Sequence, residues 1–250
     1  MSSQTIILIT GANSGVGFAA AKVIASASPS YHVLVGSRNP ENGKKAVSEL
    51  QAQGSIKGTL TDIQIDVNDQ ASIDAASKVI EDRFGHLDVL LNNAGVGPPD
   101  GELRTQLERT FQTNVIGPMV VTHTLTPLLL KSRNPYSIYV TSGLGSLSMA
   151  ADPNDPYYQA RYDIYRASKA ALNMLMIQET KELGPKGVKT FAVCPGLVRS
   201  NLRGKTEQDI SAGGYAGDPE VSGQTLLSVI EGKRDADVGR AVHKDGVHPW

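Results

Sequence analysis

A single cysteine, Cys194, in 250 residues rules out an internal disulfide, so packing alone must hold the fold together. Set within an apolar run, Cys194 reads as a small buried hydrophobe. An excess of charge of either sign is also missing. The 24 Lys and Arg residues stand against 25 Asp and Glu, and no basic stripe could follow the phosphates of a polymer, which argues against a nucleic-acid partner. No apolar run approaches the roughly 20 residues needed to span a bilayer. The opening Met1-Ser2-Ser3-Gln4 has no basic segment, and the apolar run behind it stops at Thr10, too soon for a secretion signal. Nor is His248-Pro249-Trp250 a peroxisomal address. These absences point to a soluble, cytoplasmic protein with no membrane partner, and the length suits one domain better than two.

What is present is a rhythm. Apolar runs of strand length occur at Ile6 to Ile9, His32 to Gly36, Ile63 to Val67, Val89 to Leu91, Ser137 to Val140 and Thr190 to Val193. Their near-continuous hydrophobicity suits parallel strands covered on both faces. Between them, helical periodicity predicts helices at about Gly15 to Ala27, Glu41 to Gln53, Gln70 to Phe84, Leu103 to Leu130 and Tyr165 to Leu183. Alternation of strand and helix predicts a doubly wound α/β sheet, with a ligand in the loops that leave the carboxyl ends of the strands. After Cys194 the pattern loosens into Gly-rich and polar sequence. A loop over about 199–219 reads either as a substrate lid or as an ordinary surface loop, followed by a helix near Val221 to Glu231 and a short strand near Val238 to Val242.

The first strand runs into Thr10-Gly11-Ala12-Asn13-Ser14-Gly15-Val16-Gly17 and then into a helical segment. Glycines between a first strand and a first helix let the backbone turn tightly and approach a pyrophosphate, whose charge the helix N–H groups and dipole favour. A glycine-rich turn alone is weak; this position makes it a dinucleotide site. With its Thr-Gly-x3-Gly-x-Gly spacing the sequence resembles the short-chain dehydrogenase/reductase family over nearly its whole length. The resemblance implies one Rossmann-like domain, residues 1–250, and a nicotinamide cofactor.

The second strand ends Val35-Gly36-Ser37-Arg38, without the carboxylate that would bind the ribose hydroxyls of NAD and repel a 2′-phosphate. Arg38 offers a guanidinium fork for that phosphate and Ser37 a hydroxyl, so NADP(H) is expected. Related NADP reductases often carry a basic residue in the glycine loop where Ser14 stands, which weakens the expected selectivity. By resemblance, Asp66-Val67 is the family's adenine clamp, although a strand-end Asp also serves as a turn or cap residue. Asn92-Asn93-Ala94-Gly95 resembles the Asn-Asn-Ala-Gly motif, which implies that Asn93, Ala94 and Gly95 border the cofactor. Pro195-Gly196-Leu197-Val198-Arg199-Ser200 resembles the segment flanking the nicotinamide, with Ser200 in place of Thr.

Tyr165 and Lys169 lie four residues apart, on one helical face. Such a pair arises easily by chance, and context decides. Ser142 falls at the end of the fifth strand and Asn114 inside the long helix before it, matching the family's Asn-Ser-Tyr-Lys tetrad. Hydride arriving at a carbonyl carbon builds negative charge on oxygen, so an acid must stand within reach. A phenol of ordinary pKa, about 10, holds its proton at neutral pH. Tyr165 is the expected general acid, and a nearby Lys169 ammonium is expected to lower its pKa. The resemblance implies that Lys169 also grips the nicotinamide ribose, Ser142 bonds the substrate oxygen, and Asn114 anchors a water leading to solvent. No metal site is expected.

The reading is thus an NADPH-dependent carbonyl reductase acting on a small-molecule ketone or aldehyde. Oxidation of a secondary alcohol or steroid by the same site is the alternative, and a non-catalytic redox sensor is disfavoured because both Tyr165 and Lys169 are kept. Tyr165 follows Ser142 by 23 positions, a longer spacing than many family members have. The excess, Ala151 to Tyr162, resembles an insertion that covers a tetramer-forming helix face in carbonyl reductases of the family, implying a monomer or homodimer. Tyr157, Tyr158, Leu144, Leu197 and Leu202 are candidates for an apolar pocket or for plain packing.

Overall fold

The computed structural model describes residues 4–250. One eight-stranded sheet forms the centre, in the order β3-β2-β1-β4-β5-β6-β7-β8. The core strands are β1 (Thr5–Ile9), β2 (Tyr31–Ser37), β3 (Thr59–Gln64), β4 (Val89–Asn92), β5 (Tyr136–Val140) and β6 (Lys189–Val193), all parallel. In β1, Ile7 and Ile9 point into one core layer while Ile6 and Leu8 point into the other. The period-2 alternation of strand side chains thus buries both sets, each fully covered side chain contributing about 1.5–3 kcal/mol.

Helices α1 (Gly15–Ala27), α2 (Pro40–Ala52) and α9 (Pro219–Ile230) cover the first layer, through residues such as Ile24, Leu50 and Leu226. The second layer is covered by α3 (Gln70–Phe84) and α5 (Gly117–Leu129), through Ile73, Ile80, Val121 and Leu125. Chain order reverses between β1 and β4, so the crevice at their carboxyl ends is where such a sheet binds ligands. No helix among the described residues is long and apolar enough to cross a membrane.

The structure departs from the sequence expectations in four places. The third strand spans Thr59–Gln64 rather than Ile63 to Val67. It is the sheet's edge and buries only Leu60 and Ile63, while Ile65 and Val67 are buried beyond the ladder against the second core layer. The helix expected from Leu103 to Leu130 is broken into α4 (Leu103–Phe111), a π turn (Gln112–Ile116) and α5. Pro118, in the first turn of α5, has no N–H to give the Asn114 carbonyl as a regular helix would require. Third, the chain beyond Ser142 folds into a 3₁₀ turn (Gly143–Gly145) and the short helix α6 (Leu147–Ala151) before α7 (Asp163–Leu183). Finally, the terminal strand shifts to β7 (Ala241–His243) and turns into an antiparallel β8 (Gly246–His248).

Candidate active site

The turn from β1 into α1 is shaped by close backbone approach. Gly11 has φ +63°. A methyl group on Gly17 would stand 2.4 Å from Asn93 Nδ2 and 2.7 Å from the Gly11 carbonyl oxygen. Asn93 uses Nδ2 to bond the Thr10 and Gly11 carbonyls at 2.8 and 3.1 Å, while Thr10 Oγ1 accepts from the N–H groups of Asn93 and Ala94 at 3.0 Å. The loops after β1 and β4, joined by bonds that span 82 to 84 positions, are therefore one unit. At the start of α1 the Ser14 side chain does not cap, and no acidic residue occupies the first turn. First-turn N–H groups left without a side-chain cap, beside glycines, suit an anionic pyrophosphate, so Gly11, Asn13, Ser14, Gly15, Val16 and Gly17 fit a dinucleotide. A methyl on Gly15 would lie 3.4 Å from Ser200 Cβ, which brings the segment after β6 over the same turn.

At the end of β2, Ser37 is buried and its hydroxyl donates to the Asn39 carbonyl at 2.9 Å. Arg38 is exposed and makes no ion pair among the described residues. One Asp66 oxygen accepts from the Asn68 N–H at 3.0 Å, a turn role, while the Asp66 N–H donates to Ser72 at 2.9 Å. Val67 is buried against the start of α5, where a methyl on Gly117 would meet its carbonyl oxygen at 2.9 Å.

Helix α7 carries Tyr165 and Lys169. Lys169 is buried, donates to the Val140 carbonyl at 2.8 Å, and sits 5.6 Å from the centre of the Tyr165 ring. Val140 closes β5 two residues before Ser142, whose hydroxyl accepts from the Leu144 N–H at 3.2 Å. Asn114 lies in the π turn. Its Oδ1 accepts from the Val96 N–H at 2.8 Å, and its Nδ2 donates to the Val96 carbonyl at 2.9 Å and to Ser168 Oγ at 3.1 Å. Ser168 in turn donates to the Tyr165 carbonyl at 2.7 Å. With its side chain spent on Val96 and Ser168, Asn114 fixes the loop after β4 to α7. A methyl on Gly95 would lie 3.4 Å from Asn114 Oδ1 and 3.7 Å from Lys169 Nζ.

Burial sets the electrostatics. It raises the Tyr165 phenol well above its ordinary value, nearby Cys194 adds to the rise, and the Arg203 guanidinium opposes it. It lowers the Lys169 ammonium to about 8, against a smaller upward pull from Cys194. Lys169 was expected to bring the phenol down. Among the protein's own side chains the cation that works in that direction is Arg203, and burial outweighs it.

A family model described as short chain dehydrogenase matches residues 5–211. The chain belongs to the short-chain dehydrogenase/reductase family. The short-chain dehydrogenase/reductase tropE of Talaromyces stipitatus is 38% identical over 270 aligned positions, covering 100% of this chain and 99% of the relative. Another, eupG of a Phoma species, is 34% identical and covers 99% and 98%. Among solved structures, an NADPH-bound carbonyl reductase from chicken fatty liver superposes with a TM-score of 0.82 at 26% identity, covering both chains fully. Membership makes this an oxidoreductase of a family that acts on CH–OH and C=O groups with a nicotinamide cofactor.

Seen as a short-chain dehydrogenase/reductase site, the structure ties Asn114 by hydrogen bonds to the loop after β4 and to the Tyr165 helix, and brings Gly95 close to Asn114 and Lys169. Around the tail of the site, Ser222 donates to the Pro195 carbonyl at 2.9 Å, and Val198 bridges to Gly217. Gly196 stands exposed between them. Five supporting residues lie outside what the motifs single out. Ser168 lies inside the Tyr-to-Lys spacing, where its place between the two was the available signal. Arg203 donates to the carbonyls of Val198, Asp209 and Ile210, each at 2.9 Å, closing the segment expected to be loose. Within that segment Thr206 and Asp209 cap the short helix α8 (Glu207–Ile210) reciprocally, a Thr-x-x-Asp pattern legible in sequence. Arg166 holds the insertion through the carbonyls of Tyr157 and Ala160 at 2.8 and 2.6 Å. Nothing local in the sequence marks Arg166 or Arg203, because each acts on backbone brought to it by folding.

Proposed function

We propose that the chain is an NADPH-dependent reductase of small-molecule ketones or aldehydes, acting in the cytoplasm. The observation that carries the reading is the Lys169 ammonium fixed beside the Tyr165 ring on one helical face, at the carboxyl ends of the central strands. A bound nicotinamide dinucleotide supplies the hydride. Tyr165 holds the proton that the reduced oxygen takes up, since its phenol stays protonated well past neutral pH. Lys169, with a pKa lowered to about 8, is still mostly an ammonium at pH 7 and stands 5.6 Å from the centre of the phenol ring, while the Arg203 guanidinium favours the phenolate left behind. Ser142, two residues past the end of β5, offers a hydroxyl to the substrate oxygen. Asn114 keeps the loop after β4 and α7 in register through Val96 and Ser168.

For the cofactor, exposed Arg38 supports NADP over NAD, since no carboxylate at the end of β2 stands to repel a 2′-phosphate. With the Ser37 hydroxyl engaged by Asn39, Arg38 carries that preference. Likeness to the NADPH-bound carbonyl reductase is consistent with it. The segment 199–219, pinned by Arg203, serves as a preformed substrate lid. The insertion before α7, stapled by Arg166, favours a monomer or dimer, and a tetramer by size-exclusion mass measurement would contradict that. The deciding experiment is a panel of aryl ketones, diketones, quinones and aldehydes followed by loss of NADPH or NADH absorbance. Turnover of none of them, despite cofactor binding, would reject the reading.

A further inference from the structure

Gly143, directly after Ser142, is buried and donates its N–H to Cys194 Sγ at 3.1 Å. Two side chains from distant parts of the chain converge on it. A methyl group at Gly143 would lie 3.3 Å from His248 Nε2 and 3.4 Å from Tyr157 Cζ, the carbon that bears the phenol oxygen. For His248 a ring nitrogen comes nearest, and for Tyr157 the phenol end of the ring, Cζ and then Cε2 at 3.5 Å. Among the described residues neither the His248 ring nor the Tyr157 hydroxyl makes a hydrogen bond, although both side chains are half-buried. Half-buried polar groups ordinarily find protein or solvent partners, and two that converge beside a catalytic residue are placed to meet a ligand.

Both groups are held in place. His248 lies in the β7–β8 ladder opposite Ala241 and stacks on His243, with ring centres 4.0 Å apart and planes at 12°. The chain beyond it is tied down where the Trp250 carbonyl accepts from the Ser148 N–H at 2.9 Å, and Trp250 packs against the core cluster that includes Leu172 and Met176. Tyr157 is fixed by its N–H to Asp155 Oδ1 at 2.7 Å and by Arg166 at its carbonyl. Burial and then the neighbouring His243 push the His248 imidazole down against a smaller pull from Asp155, so it is neutral at neutral pH and can both donate and accept.

We propose that His248 and Tyr157 recognise a second oxygen of the substrate, a hydroxyl or carbonyl close to the carbonyl being reduced, so that the chain selects α-oxygenated ketones over plain ones. The inference rests on the reductase reading. Gly143 directly follows Ser142, and consecutive Cα atoms are about 3.8 Å apart, so the second oxygen belongs within one or two carbons of the first. Fixed donors of this kind discriminate strongly against an isostere that lacks the oxygen, because their own hydrogen bonds are then left unmade.

The test compares α-hydroxyacetophenone with propiophenone, which differ by hydroxyl against methyl, in the wild type and in Tyr157→Phe and His248→Leu. Wild-type kcat/KM should favour the hydroxyketone by roughly tenfold or more. That ratio should fall at least about fivefold in each variant, mainly through the KM of the hydroxyketone. Intrinsic reactivity cancels when the ratios are compared. A ratio that survives in both variants, or a wild type that prefers propiophenone, overturns the proposal; Tyr157→Phe removes one oxygen and keeps the test open if His248→Leu does not fold. Should no carbonyl compound in the wider panel turn over, the reductase reading is what fails. Recognition is then judged by calorimetric Kd values for the two ketones with the NADP⁺-loaded protein, where equal Kd values overturn it as well.

Discussion

Replacing Gly17 by Ala tests whether the loops after β1 and β4 are one unit. At an ordinary helix position this change stabilises a protein by about 0.5–1 kcal/mol, so the sign of the effect is itself informative. Here the new methyl would meet Asn93 Nδ2 at 2.4 Å, the Gly11 carbonyl oxygen at 2.7 Å and Ala12 Cα at 2.9 Å. Comfortable contacts lie at about 3.5–4.0 Å, and two of these three neighbours are backbone, which cannot swing away. Helix α1 must therefore back off by roughly half an ångström or more. Overpacking of this kind costs about 1–3 kcal/mol. Loss of the two Asn93 bonds to the Thr10 and Gly11 carbonyls adds about 0.5–1.5 kcal/mol each where they break. A net loss of about 2–4 kcal/mol corresponds to roughly 5–15 °C in Tm for a chain of this size. Because the helix N–H groups move with α1, the cofactor Kd should rise on the order of 10- to 100-fold. Thermal melts and cofactor titration of Gly17→Ala, Asn93→Ala and the double variant check both numbers, the double falling short of additivity because the two share a contact. A Gly17→Ala protein that melts at or above the wild-type temperature would refute the reasoning.

Three further outcomes are expected. Tyr165→Phe should abolish turnover while cofactor Kd stays within about twofold, and substantial residual activity in steady-state assays would remove Tyr165 from its role. Arg38→Ala should raise KM for NADPH about tenfold or more and leave KM for NADH nearly unchanged, with the wild-type preference shrinking as salt rises; parallel changes in both would cancel the assignment. Glu179, whose carboxyl is raised chiefly by burial, accepts from the Tyr139 hydroxyl through one oxygen, while its other oxygen and Ser137 Oγ have no hydrogen-bond partner among the described residues. A carboxyl raised in the folded state is favoured below the unfolded-state pKa, and that advantage is lost as pH climbs through the raised folded value. Glu179→Gln, neutral at every pH and able to donate to Ser137, should raise Tm at pH 7 by a few degrees, with the gain disappearing toward pH 4. A gain equal at both pH values would show that titration is not its source.

Much of the architecture was legible because it is encoded over short stretches. Ile6 to Ile9 announce a strand buried on both faces, and Gly11, Gly15 and Gly17 announce the turn into α1, since a handful of neighbouring residues fixes each. The spacing of Tyr165 and Lys169 likewise follows from the helical repeat. Apolar content runs on past the third strand, beyond the point where pairing with β2 ends, and only hydrogen bonding to a neighbour defines that end. The break in the long helix left a local trace, Gly117-Pro118. What that break does, aiming Asn114 at Val96 and Ser168, involves a residue 54 positions away.

The sequence alone determined the doubly wound layout, the family and the residue types available for proton transfer, because side-chain periodicity and motif spacing act within one or two turns of chain. Tertiary structure alone decided how the phenol is buried, that Arg203 and Arg166 fasten backbone segments around it, and that His248 reaches Gly143 from more than a hundred residues away. Those features depend on which surfaces meet when the sheet closes. Desolvation and long-range contact are properties of that packed whole, and no local pattern specifies them.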